Sequence, residues 1–138
     1  MTTKILTVDS DADVRRLLDI RLRKAGYKVI PAANGDEAVP LAQAEQPDVV
    51  ISRVRLPGMD GLTLTRRLKA QVEGPPLVIL LSMLGSNRDI AAGFEAGADD
   101  YLTKPFSPLV LLERIRVNLI RTGRAAPENR IDREAVDE

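Results

Sequence analysis

The sequence contains 138 residues, enough for one domain and short for two, and its 44% hydrophobic and 29% charged residues are ordinary for a soluble globular protein. It has no histidine and no cysteine, which excludes serine–histidine triads, disulfide bonds and metal sites built on thiolate or imidazole ligands. Its 20 basic and 20 acidic residues balance and only 3% of residues are aromatic, so neither a broadly cationic surface nor an aromatic stacking surface for nucleic acid is indicated.

The first half of the chain alternates short apolar runs with amphipathic stretches, and this pattern predicts strands and helices in turn. In chain order these are a strand at Ile5–Val8, a helix from Val14 to Ala25, a strand at Tyr27–Ile30, a helix from Asn34 to about Ala44 and a strand at Asp48–Ser52. Pro40 lies inside the second helix, where its missing N–H predicts a break or a kink.

The second half continues the alternation after a loop that ends in Asp60–Gly61, a pair typical of a turn and helix cap. It predicts a helix at Leu62–Ala70, a strand at Leu77–Leu81, a helix from Ser86 to about Ala96, a strand at Asp100–Thr103 and a helix from Ser107 to about Ile120. The remainder is polar without an apolar period, which predicts one domain at residues 1–121 and a flexible tail or linker stub at 122–138.

Apolar strands that alternate with amphipathic helices predict an α/β fold, a five-stranded parallel sheet with helices on both faces. In such sheets, binding sites form at the carboxyl ends of the strands, near a switch in strand order. The residues at these predicted strand ends are Asp9–Asp11, Arg53, Ser82–Met83 and Thr103–Pro105.

The sequence shows no targeting or membrane segment. Residues 1–9 lack the apolar stretch of a signal peptide, and the longest apolar run, Leu77–Leu84, is far shorter than the ~20 residues of a membrane-spanning helix. We therefore expect a cytoplasmic protein that does not bind membranes.

Three motifs at the strand ends resemble the receiver domain of two-component response regulators, over about residues 4–121. They are VDSD after the first strand, LPGMDG after the third, and GFEAGADDYLTKPFSP from the fourth helix into the last. The resemblance implies a flavodoxin-like fold. In that family, two acidic residues after the first strand and an aspartate after the third hold Mg²⁺, and the last aspartate accepts a phosphoryl group from a histidine kinase.

Several positions match that pattern. Asp9 matches the first acidic position, and Ser82 and Lys104 match the hydroxyl and the lysine that contact the phosphoryl oxygens. Tyr101 matches the switch aromatic, which in the family moves between exposed and buried positions; simple half-buried packing is the alternative.

Two positions depart from the pattern. Ser10 stands where the second acid is expected, and Arg53 stands where the phosphorylated aspartate is expected. The typical site, three carboxylates and one lysine, sums to about −2, whereas Asp9, Arg53 and Lys104 sum to about +1. Because Mg²⁺ prefers carboxylate oxygen and arginine stays protonated, we expect no metal, no cofactor and no phosphotransfer.

We expect Arg53 to form an ion pair with Asp9, or with Asp11 as the second candidate; a solvated loop arginine is the alternative. Lys104 is expected to contact Asp9 or a carbonyl group. Met83 replaces the small residue usual in the family, and its long side chain is expected to cover the site.

The function most consistent with these residues is a phosphorylation-independent signalling and protein-interaction module, not an enzyme, whose partner is a protein. An alternative is the regulatory domain of a longer transcriptional regulator or output enzyme that continues after Glu138. An enzyme on a flavodoxin-like scaffold is weakly supported, since no glycine-rich phosphate loop follows the first strand. The basic residues near the C-terminus favour a solvated helix face over direct nucleic-acid binding: Arg114, Arg116, Arg121 and Arg124.

We also expect a homodimer through the fourth helix, fifth strand and last helix. In the winged-helix branch of the family, charged residues pair across this face, and the matching positions are Asp99, Asp100, Arg114 and Arg121. One expected charged pair is replaced by Ile90 and Val110, which could associate without a phosphorylation signal. The alternative is two separate exposed aliphatic side chains on a monomer.

Overall fold

Strands and helices alternate along the chain in the computed structural model, which describes residues 2–83, 85–105 and 107–124. The strands are β1 (Lys4–Val8), β2 (Lys28–Ala32), β3 (Val49–Arg53), β4 (Leu77–Ser82) and β5 (Asp100–Thr103). The helices are α1 (Ala12–Lys24), α2 (Gly35–Glu45), α3 (Gly61–Gln71), α4 (Asn87–Glu95) and α5 (Pro108–Arg121). The predicted elements are all present, with ends that differ by a few residues.

The strands form one parallel sheet in the order β2-β1-β3-β4-β5, which confirms the predicted α/β architecture. The order reverses between β1 and β3, because the chain first moves outward to β2 and then returns to the other side of β1. This is the switch point at which ligand sites form in open parallel sheets.

Each face of the sheet carries its own hydrophobic core, since side chains alternate between the faces along a strand. One core joins Ile5, Ile51 and Ile79 to α1 and α5. The other joins Leu6 and Val50 to α2, α3 and Tyr101. The two faces therefore anchor the strand ends firmly from both sides.

Local signals explain most of the helix starts. Ser86 and Ser107 accept hydrogen bonds from backbone N–H groups in the first turns of α4 and α5, as predicted. Asp60 caps α3 in the same way. Strand β2 runs two residues past its predicted end, through Pro31, because an edge strand tolerates a residue without an N–H.

The predicted break at Pro40 is wrong, since α2 continues through it to Glu45. Pro40 is exposed, and so is Asp36, whose carbonyl would otherwise have accepted the missing hydrogen bond. Solvent can hydrate that carbonyl, which lowers the penalty for proline inside a helix.

The described part of the chain continues past α5 to Arg124. Arg124 donates from Nη1 to the carbonyl of Asp48 at 2.7 Å and from Nη2 to the carbonyl of Pro75 at 2.9 Å. These contacts attach residues 122–124 to the domain, and the rest of the predicted tail lies outside the described residues. No helix within the described ranges is long and apolar enough to cross a membrane.

Candidate functional site

The candidate site lies at the carboxyl edge of the sheet, where β1 and β3 end side by side. Val8 of β1 is in register with Ser52 of β3, so the next residues, Asp9 and Arg53, are brought together. Gly61 makes this edge possible: a Cβ there would lie 2.4 Å from the carbonyl oxygen of Arg53. Only glycine allows the loop to return so closely beneath the end of β3.

Asp9 is almost completely buried, with 2% of its surface exposed. Its Oδ1 accepts a hydrogen bond from the N–H of Asp11 at 2.9 Å, and its carbonyl oxygen accepts one from Nη1 of Arg15 at 2.6 Å. Asp11 in turn caps α1 by accepting from the N–H of Asp13 at 2.8 Å. Asp11 therefore serves the helix and is not the partner of Arg53.

The predicted ion pair between Arg53 and Asp9 is present as one long contact, with Nη1 of Arg53 3.6 Å from Oδ1 of Asp9. The Arg53 side chain is 30% exposed. Within the described ranges it donates no hydrogen bond, so the geometry differs from the two-pronged arrangement that arginine makes with carboxylates.

Lys104 does not make its expected contact. Its backbone N–H donates to the carbonyl of Ser82 at 2.8 Å, which ties the ends of β5 and β4 together. Its side chain forms neither an ion pair nor a hydrogen bond with the residues that the structure describes. Ser82, the end of β4, is buried.

The prediction that Met83 covers the site is also wrong, because its side chain is 75% exposed. Met83 follows the end of β4 and separates two recesses. One is a small cavity of about 140 Å³ that it shares with Arg53, Arg55 and Ser82. The other is an apolar groove of about 400 Å³ between α1 and α5, and Lys104 is one of the residues that line it.

Tyr101 is buried, with 7% of its surface exposed. Its ring lies directly against Gly93 of α4, where an added Cβ would come within 2.6 Å of the ring carbon Cδ2. Gly93 is thus a residue that sequence reasoning missed; its place in α4 gave no signal of a close contact.

Asp100 is the most strongly held carboxylate in the structure's described part. It accepts from Nε of Arg114 at 2.7 Å, from Nη2 of the same residue at 2.5 Å, and from Nδ2 of Asn118 at 3.0 Å. Burial alone raises the pKa of Asp100, but the hydrogen bonds from Arg114, the Tyr101 amide and Asn118 outweigh it and lower that pKa below 3.8. The hydrogen bonds that Arg114 donates to Asp100 raise the pKa of Arg114.

Asp99 is engaged within the chain as well. It accepts from Nζ of Lys69 at 2.8 Å and from the N–H of Val78 at 2.8 Å. Arg121 donates to Oδ1 of Asn118 at 2.5 Å. The charged residues expected to pair across an interface therefore all have partners inside the domain. Lys69 and Asn118 escaped sequence reasoning, although Asn118 shares a helix face with Arg114 at a spacing of four residues.

The two apolar residues expected to associate at the face formed by α4, β5 and α5 differ in their exposure. Ile90 is half-buried and packs against the core around Leu80 and Tyr101. Val110 is 46% exposed. Among the described residues no three acidic side chains come together as a group that could hold a metal ion.

Comparisons with known proteins agree with this architecture. The sequence model of the response regulator receiver domain matches residues 5–116. A probable transcriptional regulator, ycf27, from Guillardia theta is 43% identical over 123 residues, which cover 89% of this chain and 48% of that protein. Its counterpart in Porphyridium aerugineum is 38% identical over 96% of this chain and 55% of its own length. The chain thus spans about half the length of these curated relatives.

Solved structures give the same result. The BeF3-activated DrrB receiver domain is 34% identical with a TM-score of 0.78, covering 86% of this chain and 98% of that one. The chemotaxis response regulator CheY4 of Vibrio cholerae is 32% identical with a TM-score of 0.81, covering 86% and 100%. A putative response regulator from Chloroflexus aurantiacus is 40% identical with a TM-score of 0.81, covering 87% and 99%. The flavodoxin-like fold is thereby confirmed, and the chain belongs to the response regulator receiver domain family.

Proposed function

We propose that this receiver domain works without phosphorylation, as a signalling and interaction module. The observation that carries the proposal is the guanidinium of Arg53, which lies 3.6 Å from the carboxylate of Asp9 where the phosphoryl acceptor is expected. An arginine side chain has no nucleophilic oxygen and remains protonated, so it cannot form an acyl phosphate.

The residues present do not fit Mg²⁺. Asp9 is the carboxylate at this edge, and its Oδ1 is already shared between the N–H of Asp11 and Arg53. Ser10 supplies no second carboxylate, and Asp11 is occupied as the cap of α1. A hard divalent cation would have to displace a fixed positive charge from its first ligand, which is unfavourable.

In this proposal the Arg53–Asp9 contact helps to hold one conformation of the switch region. Tyr101 is buried against Gly93, and Lys104 has no anionic partner among the described residues. The domain would then present a constant surface to its partner, where an ordinary receiver alternates between two surfaces.

The relatives suggest how that surface is used. Because the ycf27 proteins are probable transcriptional regulators and this chain spans about half their length, a regulatory role beside an output domain is supported by the comparison. Homodimerisation through α4, β5 and α5 remains part of the proposal; with Asp100 and Arg114 paired inside the domain, it would rest on exposed Val110 and its neighbours.

The decisive experiment is incubation with acetyl phosphate and Mg²⁺ followed by intact-mass measurement. The wild type should gain no acid-labile phosphoryl group. The double variant Ser10→Asp, Arg53→Asp restores the acidic positions and should gain one, while Ser10→Asp alone should not. A phosphoryl group on the wild type would overturn the proposal.

Dimerisation has its own test in sedimentation at micromolar concentration. Val110→Glu should reduce association, and Ile20→Glu is the matched control, since Ile20 is an aliphatic on α1 that is 53% exposed. A wild type that stays monomeric throughout would remove the homodimer and leave a different protein as the partner.

A further inference from the structure

The groove between α1 and α5 brings together apolar side chains that stay open to solvent. It has a volume of about 400 Å³. Three buried leucines, Leu18, Leu111 and Leu112, contribute to its lining. Two further lining residues are far more exposed, Leu17 at 49% and Met83 at 75%. Single exposed apolar side chains are ordinary on a protein surface, but a group of them that meets in one recess marks a binding surface.

The groove is elongated and has the size of a small-molecule site. Its lining on α1 runs from Val14 to Arg21, which spans about 10 Å of helix. Pockets for small molecules have volumes of about 300–1,000 Å³. A water molecule takes about 30 Å³ in the liquid, so this groove accommodates roughly 13 heavy atoms. An unbranched chain of about ten carbon atoms with a small polar head group suits both its length and its volume.

The charge at the groove is positive. Arg21 and Lys104 line it, and neither side chain forms an ion pair or a hydrogen bond with the residues that the structure describes. Within the same ranges no acidic side chain belongs to the lining. Asp19 of α1 and Glu113 of α5 are each paired with an arginine of their own helix. An apolar groove with cations at its lining is complementary to an apolar ligand with an anionic head group.

Arg21 is the better of the two cations for a carboxylate head group. Its planar guanidinium can donate two parallel hydrogen bonds to the two carboxylate oxygens, which a lysine cannot do. Arg21 is exposed, so the head group would remain hydrated and only the chain would leave water. Arg21 also lies toward the far end of α1, away from the carboxyl edge where Met83 and Lys104 follow their strands. The flexible thioether of Met83 can pack against the far end of an aliphatic chain.

We propose that the groove between α1 and α5 binds a medium-chain fatty acid of about ten carbon atoms. The carboxylate would bind Arg21, and the chain would lie between the leucines of the two helices and reach Met83. The domain would then respond to an amphipathic small molecule through α1 and α5. This inference is independent of whether the domain can be phosphorylated.

Isothermal titration of the full chain with sodium decanoate, kept below its critical micelle concentration, tests the proposal. One saturable site is expected. From hexanoate to octanoate to decanoate the affinity should rise by about fourfold for each added methylene, because each one is buried in the groove. Decylamine, which has the same chain and a cationic head group, should bind at least several-fold more weakly than decanoate.

Two pairs of variants locate the site. Leu17→Gln should weaken decanoate binding by about tenfold, whereas Ile20→Gln, an aliphatic of similar exposure on α1 outside the groove, should leave it unchanged. Arg21→Gln should weaken binding several-fold, whereas Arg16→Gln removes an exposed arginine of the same helix outside the groove and should have no effect. All four side chains are exposed, so the variants should fold.

Three results would overturn the proposal. One is a wild type without saturable binding of decanoate. Another is an equal loss of affinity in Leu17→Gln and Ile20→Gln, which would indicate adsorption to any exposed apolar surface. The third is a larger loss in Lys104→Gln than in Arg21→Gln, which would place the carboxylate at the strand ends and not on α1.

Discussion

Asp9 and Asp100 are both buried aspartates that face an arginine, yet they lie at opposite edges of the same sheet and are held very differently. Asp100, at the amino end of β5, receives hydrogen bonds from Arg114 and Asn118 and from the Tyr101 amide. Asp9, after the carboxyl end of β1, receives one backbone hydrogen bond and a single contact from Arg53 at 3.6 Å.

The difference in hydrogen bonding distinguishes a structural ion pair, at Asp100, from a candidate functional site, at Asp9. Removing one partner of a fully hydrogen-bonded buried charge destabilises the fold strongly, because the other partner is left desolvated and unpaired. A loosely paired charge contributes less and is free to change partner. The same contrast extends into the strands: near Asp9, the hydroxyl of fully buried Thr7 has no hydrogen-bond partner among the described residues. Among the described residues, the carboxyl end of β1 therefore holds a loosely paired aspartate and a buried hydroxyl without a partner, the kind of local departure that is common at functional sites.

The largest expected effect comes from breaking the tightly held pair. Arg114→Gln should lower the free energy of unfolding by about 2–3 kcal/mol, because Asp100 would keep its burial but lose its charged partner. Urea denaturation measures this. Arg66→Gln, which removes an exposed charge without breaking an ion pair in the described ranges, should change stability by less than about 0.5 kcal/mol. Equal losses in the two variants would contradict the comparison.

A pH series sharpens the same point. Because the pKa of Asp100 is lower in the folded state than its ordinary value of 3.8, its ionised form stabilises the fold above that value. The contribution disappears as the pH falls from 3.8 through the folded-state pKa. Asp100→Asn should therefore be about 1–2 kcal/mol less stable than the wild type at pH 7, with a gap that narrows below pH 4. Unfolding midpoints in urea at pH 7, 5, 4 and 3 give the gap directly; a constant gap would disprove the linkage.

Sequence patterns predicted the fold well because the fold depends on the periodicity of apolar residues and on the residues that begin and end helices. The alternation of apolar strands with amphipathic helices fixed the layers, and Ser86 and Ser107 marked helix starts correctly. The register of neighbouring strands then placed Asp9 beside Arg53, so their pairing followed from position alone.

The remaining site contacts depend on side-chain geometry, which a sequence does not record. Lys104 was expected to contact Asp9 or a carbonyl group, but its side chain has no partner among the described residues. Met83 was expected to cover the site, but its side chain is exposed. Asp100 was expected to face a second copy of the chain, whereas Arg114 reaches it from α5 of the same domain. Rotamers and helix orientation decide such choices, and many residues on a helix face are compatible with either outcome.

A smaller effect should come from Thr7. Replacing a buried hydroxyl that lacks a partner with a methyl group of the same shape should raise the free energy of unfolding by about 1 kcal/mol in Thr7→Val. Thr65 is the matched control: it is equally buried, but its hydroxyl donates to the carbonyl of Gly61 at 2.7 Å. Thr65→Val should therefore lose stability where Thr7→Val gains it. If both variants shift in the same direction, the hydrogen-bond argument fails and packing decides the result.

The smallest expected effect comes from the looser pair. Arg53→Gln should lower the free energy of unfolding by only about 0.5–1 kcal/mol, since the contact with Asp9 is single and the carboxylate keeps the N–H of Asp11. Arg15, whose Nη1 donates to the carbonyl of Asp9, also remains as a nearby cation. Urea denaturation beside Arg114→Gln gives the comparison on one scale. A loss of 2 kcal/mol or more in Arg53→Gln would mean that Arg53 is a structural partner of Asp9 after all.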